Sequence, residues 1–464
     1  MNSKRPTTRA LALMAIMAMI LAACGDDGSA DTTVGEPATT VASPDTTSGG
    51  ADTTAGGSDT TTSSPDTTTG GEAPSGDPIV IGSTLALTGP LAPTAAIHKV
   101  AGDLFVEQLN ESGGLLGRPV EWRVLDDESA PDQAAALYER LITEDEVELI
   151  IGPYGTGNIT AAMAVAARYG YVYPQHTGSL TYAFDYECQF AAWPTGRYPN
   201  VTNPELVFDA LEATGTPPET VAFVINQFPG SMFVAYGYPD SGDPQDVPGA
   251  KSIAEDRGYE VVLDVQYPLA ISDWGPIAAQ VRDADPDFLY MGALGVDGPN
   301  LIAAMDALDY QPAGLFLQWP APGPVLGAGA SAEGVLSVTA FEAHPPFTDD
   351  PEDAAAAEAF QAAATEAGIP YAEMETQASA SWAAWQILVA GVEGADSLDN
   401  EAACDYLVNN PIDTIFGEVA FGTEENNYYG DLSYVKQVQD GDWWVVYPEE
   451  NAAPDRTLEY SPEG

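Results

Sequence analysis

From Pro78 onward, apolar runs of strand length alternate with stretches whose apolar residues recur every three or four positions. Ile79–Ala86 is nearly continuous in apolar and small residues and predicts a buried strand. Thr94–Asn110 predicts a helix with Ile97, Ala101, Leu104, Phe105 and Leu109 on one face, stopped by Gly113 and Gly114. Val120–Leu125 alternates as a strand does, and Asp132–Thr143 places Leu137, Tyr138, Leu141 and Ile142 at helical spacing. Val147–Ile151 predicts a third strand. A glycine-rich turn and a small-residue helix follow it, and Tyr171–Tyr173 begins a fourth strand. Strands separated by helices imply a parallel sheet covered on both faces.

The pattern repeats after the Pro/Gly/Asn-rich stretch Pro194–Pro204. Strands are expected at Val221–Ile225, Glu260–Tyr267, Phe288–Gly292 and Leu315–Gln318, with a helix at Asn300–Leu308 between the last two. Residues 378–393 and 399–409 predict two more helices, and Ser433–Tyr447 predicts strand pairs. The expected architecture is two α/β lobes, with the chain crossing between them near residues 197, 340 and 432. Residues 78–197 with 341–432 would form the first lobe, and 198–340 with 433–464 the second.

The first 77 residues have a different character. Lys4, Arg5 and Arg9 precede the apolar run Ala10–Leu21, which is too short for a permanent membrane span. Residues 1–23 therefore read as a signal peptide. Leu21-Ala22-Ala23-Cys24 resembles a bacterial lipobox, which makes Cys24 the expected lipidation site and anchors the chain outside the cytoplasmic membrane. Residues 24–77 repeat Asp-Thr-Thr at seven-residue spacing without an apolar seam, so they read as a disordered Thr/Asp/Gly-rich tether. As a random coil it would span roughly 40 Å. The chain carries 14 basic against 70 acidic residues, a net charge of −56, which opposes nucleic acid as a partner. Besides Cys24 there are two cysteines, Cys188 and Cys404. Outside the cytoplasm they are free to pair, although two cysteines make no pattern.

In open parallel sheets, ligands sit beyond the carboxyl ends of the strands. The turn Tyr154-Gly155-Thr156-Gly157-Asn158 leads from the third strand into a helix, and a helix start offers unpaired backbone N–H groups to an anion. A carboxylate fits that seat as well as a phosphate. The phosphate alternative lacks its motifs: no Gly-Lys-Ser/Thr follows the turn, and the partial G-x-G comes after the third strand rather than the first. His98, His176 and His344 have no metal-ligand spacing, and there is no EF-hand loop or G-x-S-x-G elbow. Neither a cofactor nor a metal is expected.

The stretches VIGSTLALTGPLA, FVEQLNESGGLLGRPVEWRVLDDESAPDQAAALYERLI, VELIIGPYGTGN and YVYPQHTG occur in order. Together they resemble the leucine/isoleucine/valine-binding family of type I periplasmic solute-binding proteins, over roughly residues 78 to 450. The resemblance implies a two-lobed type I periplasmic-binding-protein fold, with a parallel sheet in each lobe and about three hinge crossovers. It also implies an extracytoplasmic receptor of an ABC importer, not an enzyme and without cofactor. Such a receptor binds a small amino-acid-like, carboxylate or amide solute and serves an ABC permease; a monomer is expected. A sensor of the same fold coupled to a membrane kinase and an exported hydrolase are the alternatives.

Carried over by position, the resemblance places Tyr154 and Thr156 in the strand-three turn and Gln175 and Thr177 in the strand-four turn. It places Thr94 over the ligand from the first helix, and Phe228 and Leu294 in the second lobe. Trp319 stands where amino-acid receptors of the family place an acid for the α-ammonium, so either Asp297 or another acid substitutes or the ligand is not an amino acid. Trp319 either lines the cleft or plugs its lobe. His176 is either a ligand contact or a structural histidine. Trp382 and Trp385 read as core.

Overall fold

The computed structural model describes residues 73–179, 186–237, 248–269, 271–422 and 427–462, all within one compact unit, Thr68–Gly464. The expected signal peptide, Cys24 and most of the tether lie outside the described residues. Among the described residues, no helix is long and apolar enough to cross a membrane.

The first lobe begins with β1 (Ile79–Leu85), α1 (Ala92–Glu111), β2 (Val120–Asp126), α2 (Pro131–Thr143), β3 (Leu149–Ile150), α3 (Thr156–Tyr169), β4 (Tyr173–Gln175) and β5 (Gln189–Ala191). The second follows with α4 (Pro199–Ala213), β6 (Thr220–Asn226), α5 (Pro229–Tyr236), α6 (Ala250–Asp256), β7 (Glu260–Tyr267) and α7 (Gly275–Ala284). It continues through β8 (Phe288–Gly292), α8 (Asp297–Asp306), β9 (Gly314–Leu317), α9 (Pro322–Leu326) and β10 (Leu336–Thr339). The chain then forms α10 (Pro351–Glu366), α11 (Thr376–Ala395), α12 (Asn400–Asn409), β11 (Ile412–Thr414) and β12 (Gly417–Val419). It ends in β13 (Tyr434–Gln439) and β14 (Asp442–Tyr447).

β1 is parallel to both β2 and β3, and β4 is parallel to β5. The two small sheets meet where the Gly152 N–H donates to the Pro174 carbonyl at 2.8 Å. Apolar residues cover both sides. One cluster joins Ile79, Ile81, Leu149 and Phe190 to Phe360, Trp382 and Trp385, and another joins Tyr138, Leu141, Ile150, Ile159 and Tyr173. Trp382 and Trp385 are thus core residues. Gly102 on α1 is needed for this packing: a Cβ there would lie 2.4 Å from the Trp122 ring.

The second lobe has one seven-stranded sheet in the order β14-β13-β10-β9-β8-β6-β7. Successive residues of β6 face opposite sides. Ala222 and Val224 enter one apolar cluster, and Val221, Phe223 and Ile225 enter the other. The sheet is mixed rather than parallel throughout, because β13 runs antiparallel to β10 and β14 antiparallel to β13. The fourth strand also starts two residues later than the sequence predicts. Its partner β5 and helices α4 and α10 are unforeseen. α4 begins inside the proline-rich stretch, with Pro199 in the first turn, where the missing N–H costs nothing. Pro204 gives up one helical hydrogen bond within it, which burial of Val207, Phe208 and Leu211 offsets.

The crossovers lie side by side. Thr195 bridges Asp431, and Glu342 bridges Glu375. The Ala340 N–H donates to the Thr376 hydroxyl at 2.9 Å. Lys436 Nζ lies 2.6 Å from Glu342 Oε1, with the two side chains only 3% and 1% exposed. Cys188 and Cys404 form a disulfide with Cα atoms 5.4 Å apart, tying the segment before β5 to α12.

Burial raises the Glu375 carboxyl from its ordinary 4.5 to about 7, although Lys436 opposes the shift. Between those values the folded chain holds a proton that the unfolded chain has released, so this group makes the fold less stable as pH rises from 4.5 to 7. Glu375→Gln removes that slope. The stability of wild type minus variant, read by urea denaturation, is expected to fall across this window; a flat difference would contradict the assignment. Lys436→Met leaves Glu342 facing Glu375 without a cation and is expected to cost about 3–5 kcal/mol at pH 8. The loss should be smaller at pH 6, where a carboxyl can take up a proton.

Candidate functional site

The strand ends of both lobes converge on one recess. Tyr154, Gly155 and Thr156 come from the β3–α3 turn, and Thr177 and Ser179 from the turn after β4. Phe228 follows β6, Leu294 follows β8 and Trp319 follows β9. Leu91, Trp193 and Gln377 complete the wall from the start of α1, the first crossover and the first turn of α11. The recess measures about 360 Å³ out to its open mouth, a volume that includes open solvent, and its narrow part has room for about one water. A larger solute would need the walls to part.

The lining residues carry hydrogen-bond donors. Gly155, at φ 92°, precedes α3, and no side chain caps the helix. Its first N–H groups are thus left for a guest. Thr156 Oγ1 lies 3.0 Å from Ser179 Oγ and accepts the Ser179 N–H at 3.3 Å. The indole Nε1 of Trp319 is buried without a partner among the described residues. Trp319 packs edge-on against Trp193 with centroids 5.5 Å apart, and it holds φ 50°, in the left-handed region that bulky residues avoid. Such strain persists where the surroundings over-determine it, commonly at ligand clamps.

Among the described residues lining the recess, none is charged. Asp297, the alternative partner for an ammonium group, is turned away. Its Oδ2 accepts from Asn226 Nδ2 at 2.9 Å, Tyr267 at 2.8 Å and the Leu294 N–H at 3.3 Å. Burial raises the carboxyl of Asp297 and pushes the Tyr154 phenol up to about 12. Donors, aromatic walls and no lining charge suit a carboxylate or carbonyl group on an apolar body.

Six of the eight residues singled out from the sequence line the recess: Tyr154, Thr156, Thr177, Phe228, Leu294 and Trp319. Two are not part of its lining. Thr94 bonds the Tyr154 side chain. Gln175 is buried, and its Oε1 accepts the Gly178 N–H at 2.8 Å, bracing the turn that presents Thr177. His176 is likewise buried behind the wall. Trp193 and Gln377 were missed because each sits on a boundary. Trp193 follows an unforeseen strand, and Gln377 precedes the expected start of its helix by one residue. The apolar run Phe190-Ala191-Ala192 ahead of Trp193 was the available signal.

Two sheet-bearing lobes with a recess at their facing strand ends define a clamshell solute receptor. Residues 78–442 match the sequence model of the periplasmic binding protein family, and the chain belongs to that family, in its leucine/isoleucine/valine-binding type I branch. It is 25% identical to Leu/Ile/Val-binding protein homolog 3 of Brucella melitensis over 367 residues, 76% of this chain and 89% of that protein. A 95-residue stretch is 39% identical to the chemotactic signal transduction system substrate-binding protein of Halobacterium salinarum. That stretch covers 20% of this chain and 23% of that protein. Among solved structures, the branched-chain amino acid transporter substrate-binding protein of Streptococcus pneumoniae, in complex with isoleucine, is 16% identical with a TM-score of 0.63. The match covers 79% of this chain and 98% of that one. An ABC transporter solute-binding protein from R. palustris, in complex with benzoate, is 19% identical with a TM-score of 0.64, covering 83% and 99%. These relatives are solute-binding proteins, and the family implies a location outside the cytoplasm.

Gly155→Ala should lower stability by about 1–3 kcal/mol, because the added Cβ meets Leu91 Cδ1 at 2.8 Å and the backbone stays at positive φ. An unchanged melting temperature would contradict the turn geometry.

Proposed function

We propose that the chain is the solute receptor of an ABC importer and that it closes on an apolar or aromatic carboxylate lacking an α-ammonium. The supporting observation is the recess itself: aromatic walls, donors at a helix start, and no charged side chain among its described lining residues. An α-ammonium sealed there without a counter-ion would be costly. A carboxylate would be met by the N–H groups opening α3, the Thr156 hydroxyl and the Trp319 indole, while Tyr154, Phe228, Leu294 and Trp193 hold its apolar body. The lobes turn about the crossovers near residues 197, 340 and 432 and present the bound solute to a membrane permease. Lipid on Cys24 and the tether keep the receptor within reach of that permease. The match to a chemotaxis substrate-binding protein supports a second reading, in which the same closed form signals to a membrane sensor.

The test is a thermal-shift screen of the full chain against aromatic carboxylates, branched-chain amino acids, amides and urea. Chromatography of each mixture reports any turnover. Stoichiometric stabilisation by a carboxylate without chemical change is expected, and turnover would end the receptor reading. Thr156→Ala is expected to weaken carboxylate binding roughly 10- to 100-fold, the loss of one hydrogen bond to a charged group. Unchanged affinity in calorimetry would reject the seat.

A further inference from the structure

We propose that His98 and His176, stacked behind the Tyr154 wall, are positioning residues that set solute specificity: they leave Gln377 only N–H donors, and Thr177 only a lone pair, to offer the recess. The proposal rests on the receptor reading above and narrows the solute to a carboxylate that also bears a neutral hydroxyl.

The two imidazoles are stacked with centroids 4.1 Å apart and 18° between their planes, and the Tyr154 ring packs against both, 4.7 Å from His98 and 6.5 Å from His176. His98 is 1% and His176 2% exposed. The groups facing the pair are the Tyr154 phenol, the Gln377 amide, the Thr177 hydroxyl and the Gly152 main chain. None of these is an anion that would hold a proton on either ring. Two imidazolium cations at this separation, out of water, would repel strongly. Burial carries His176 down to about 3, and burial with the neighbouring His176 carries His98 well below its ordinary value. Both rings are neutral, and a neutral imidazole has one donor and one acceptor nitrogen.

That rule fixes the neighbours. The Gly152 main chain bonds the His176 ring and favours a proton there; because Nδ1 faces Thr177, we assign that bond to Nε2, which makes Nδ1 an acceptor. Nδ1 lies 3.2 Å from Thr177 Oγ1, and the hydroxyl hydrogen must point at it. Thr177 then turns only oxygen lone pairs to the recess. On His98, Nε2 lies 3.1 Å from Gln377 Oε1, and Nδ1 has no partner among the described residues. Turning the amide over would put the proton on that unpartnered nitrogen and bury an orphaned N–H, so Nε2 carries the hydrogen and Oε1 accepts it. The Gln377 NH2 is left for the solute. Thr177 and Gln377 look alike as polar residues, yet one demands a donor and the other an acceptor.

The first experiment needs no solute. Long-range nitrogen–proton NMR of the full chain labelled with 15N-histidine is expected to show both rings as neutral Nε2–H tautomers, unchanged between pH 5 and 8. His98→Gln and His176→Gln assign the signals. Titration in this range, or an Nδ1–H tautomer on either ring, would overturn the proposal. The second compares benzoate with its 2-, 3- and 4-hydroxy derivatives by calorimetry. The best hydroxybenzoate is expected to bind wild type about fivefold or more tighter than benzoate. That preference should vanish in Thr177→Val and in His176→Phe and survive in Thr177→Ser, while His176→Phe still binds benzoate. Binding of both acids with an unaltered preference in His176→Phe overturns the proposal alone. Failure of every acid to bind wild type overturns the receptor reading and the proposal with it.

Discussion

The cost of taking an ion out of water governs this structure. A recess sealed between two lobes cannot hold a charge unless the wall supplies its complement. Here the wall supplies hydrogen-bond donors, from the uncapped start of α3 and the unpartnered indole of Trp319. Among its described lining residues it supplies no acid. Asp297, the acid named from the sequence for an ammonium, is consumed by Asn226, Tyr267 and the Leu294 main chain. The same constraint acts in the layer behind the wall, where burial lowers the pKa of both stacked histidines and so favours neutral rings.

Desolvation also shapes the crossovers. The chain has only 14 basic residues, yet Lys436 is buried where the lobes join, between Glu342 and the Trp443 ring. Glu375 nearby caps the start of α11, the helix that carries Gln377 into the recess. A buried pair of this kind adds little net stability over an apolar substitute, but breaking it leaves an uncompensated charge. Its position joins β13 of the second lobe to a crossover and to a helix of the first. The hinge region and one wall of the recess are therefore connected through a few residues near Thr376.

Much of the fold was legible because its strands carry the pattern of their place in the sheet, continuous and buried in the middle at Phe288–Gly292 and half-exposed at the edge at Glu260–Tyr267. The runs at Glu260–Tyr267 and Phe288–Gly292 match the observed strands residue for residue. Elements whose pattern is weak were not legible. β5 has three residues, α10 is largely alanine, and α4 begins among prolines. The rule that ligands sit past strand ends pointed to the turns, and the turns do meet at one recess. It said nothing of side-chain direction, and so gave no hint that Gln175 accepts the Gly178 N–H or that Thr94, placed by the resemblance, bonds the Tyr154 side chain. It also passed over Gln377, which arrives from a distant helix, and His98, whose place beside His176 only the packing of α1 reveals.

One matched pair tests the central claim most directly. 3-Phenylpropanoate and phenylalanine differ only in the α-ammonium group, so titrating both into the full chain by calorimetry isolates the cost of that charge. The account predicts that 3-phenylpropanoate binds at least about tenfold tighter, because the ammonium finds no partner in the recess. Tighter binding of phenylalanine would mean that the closed site holds an anion for it, and the account would be wrong.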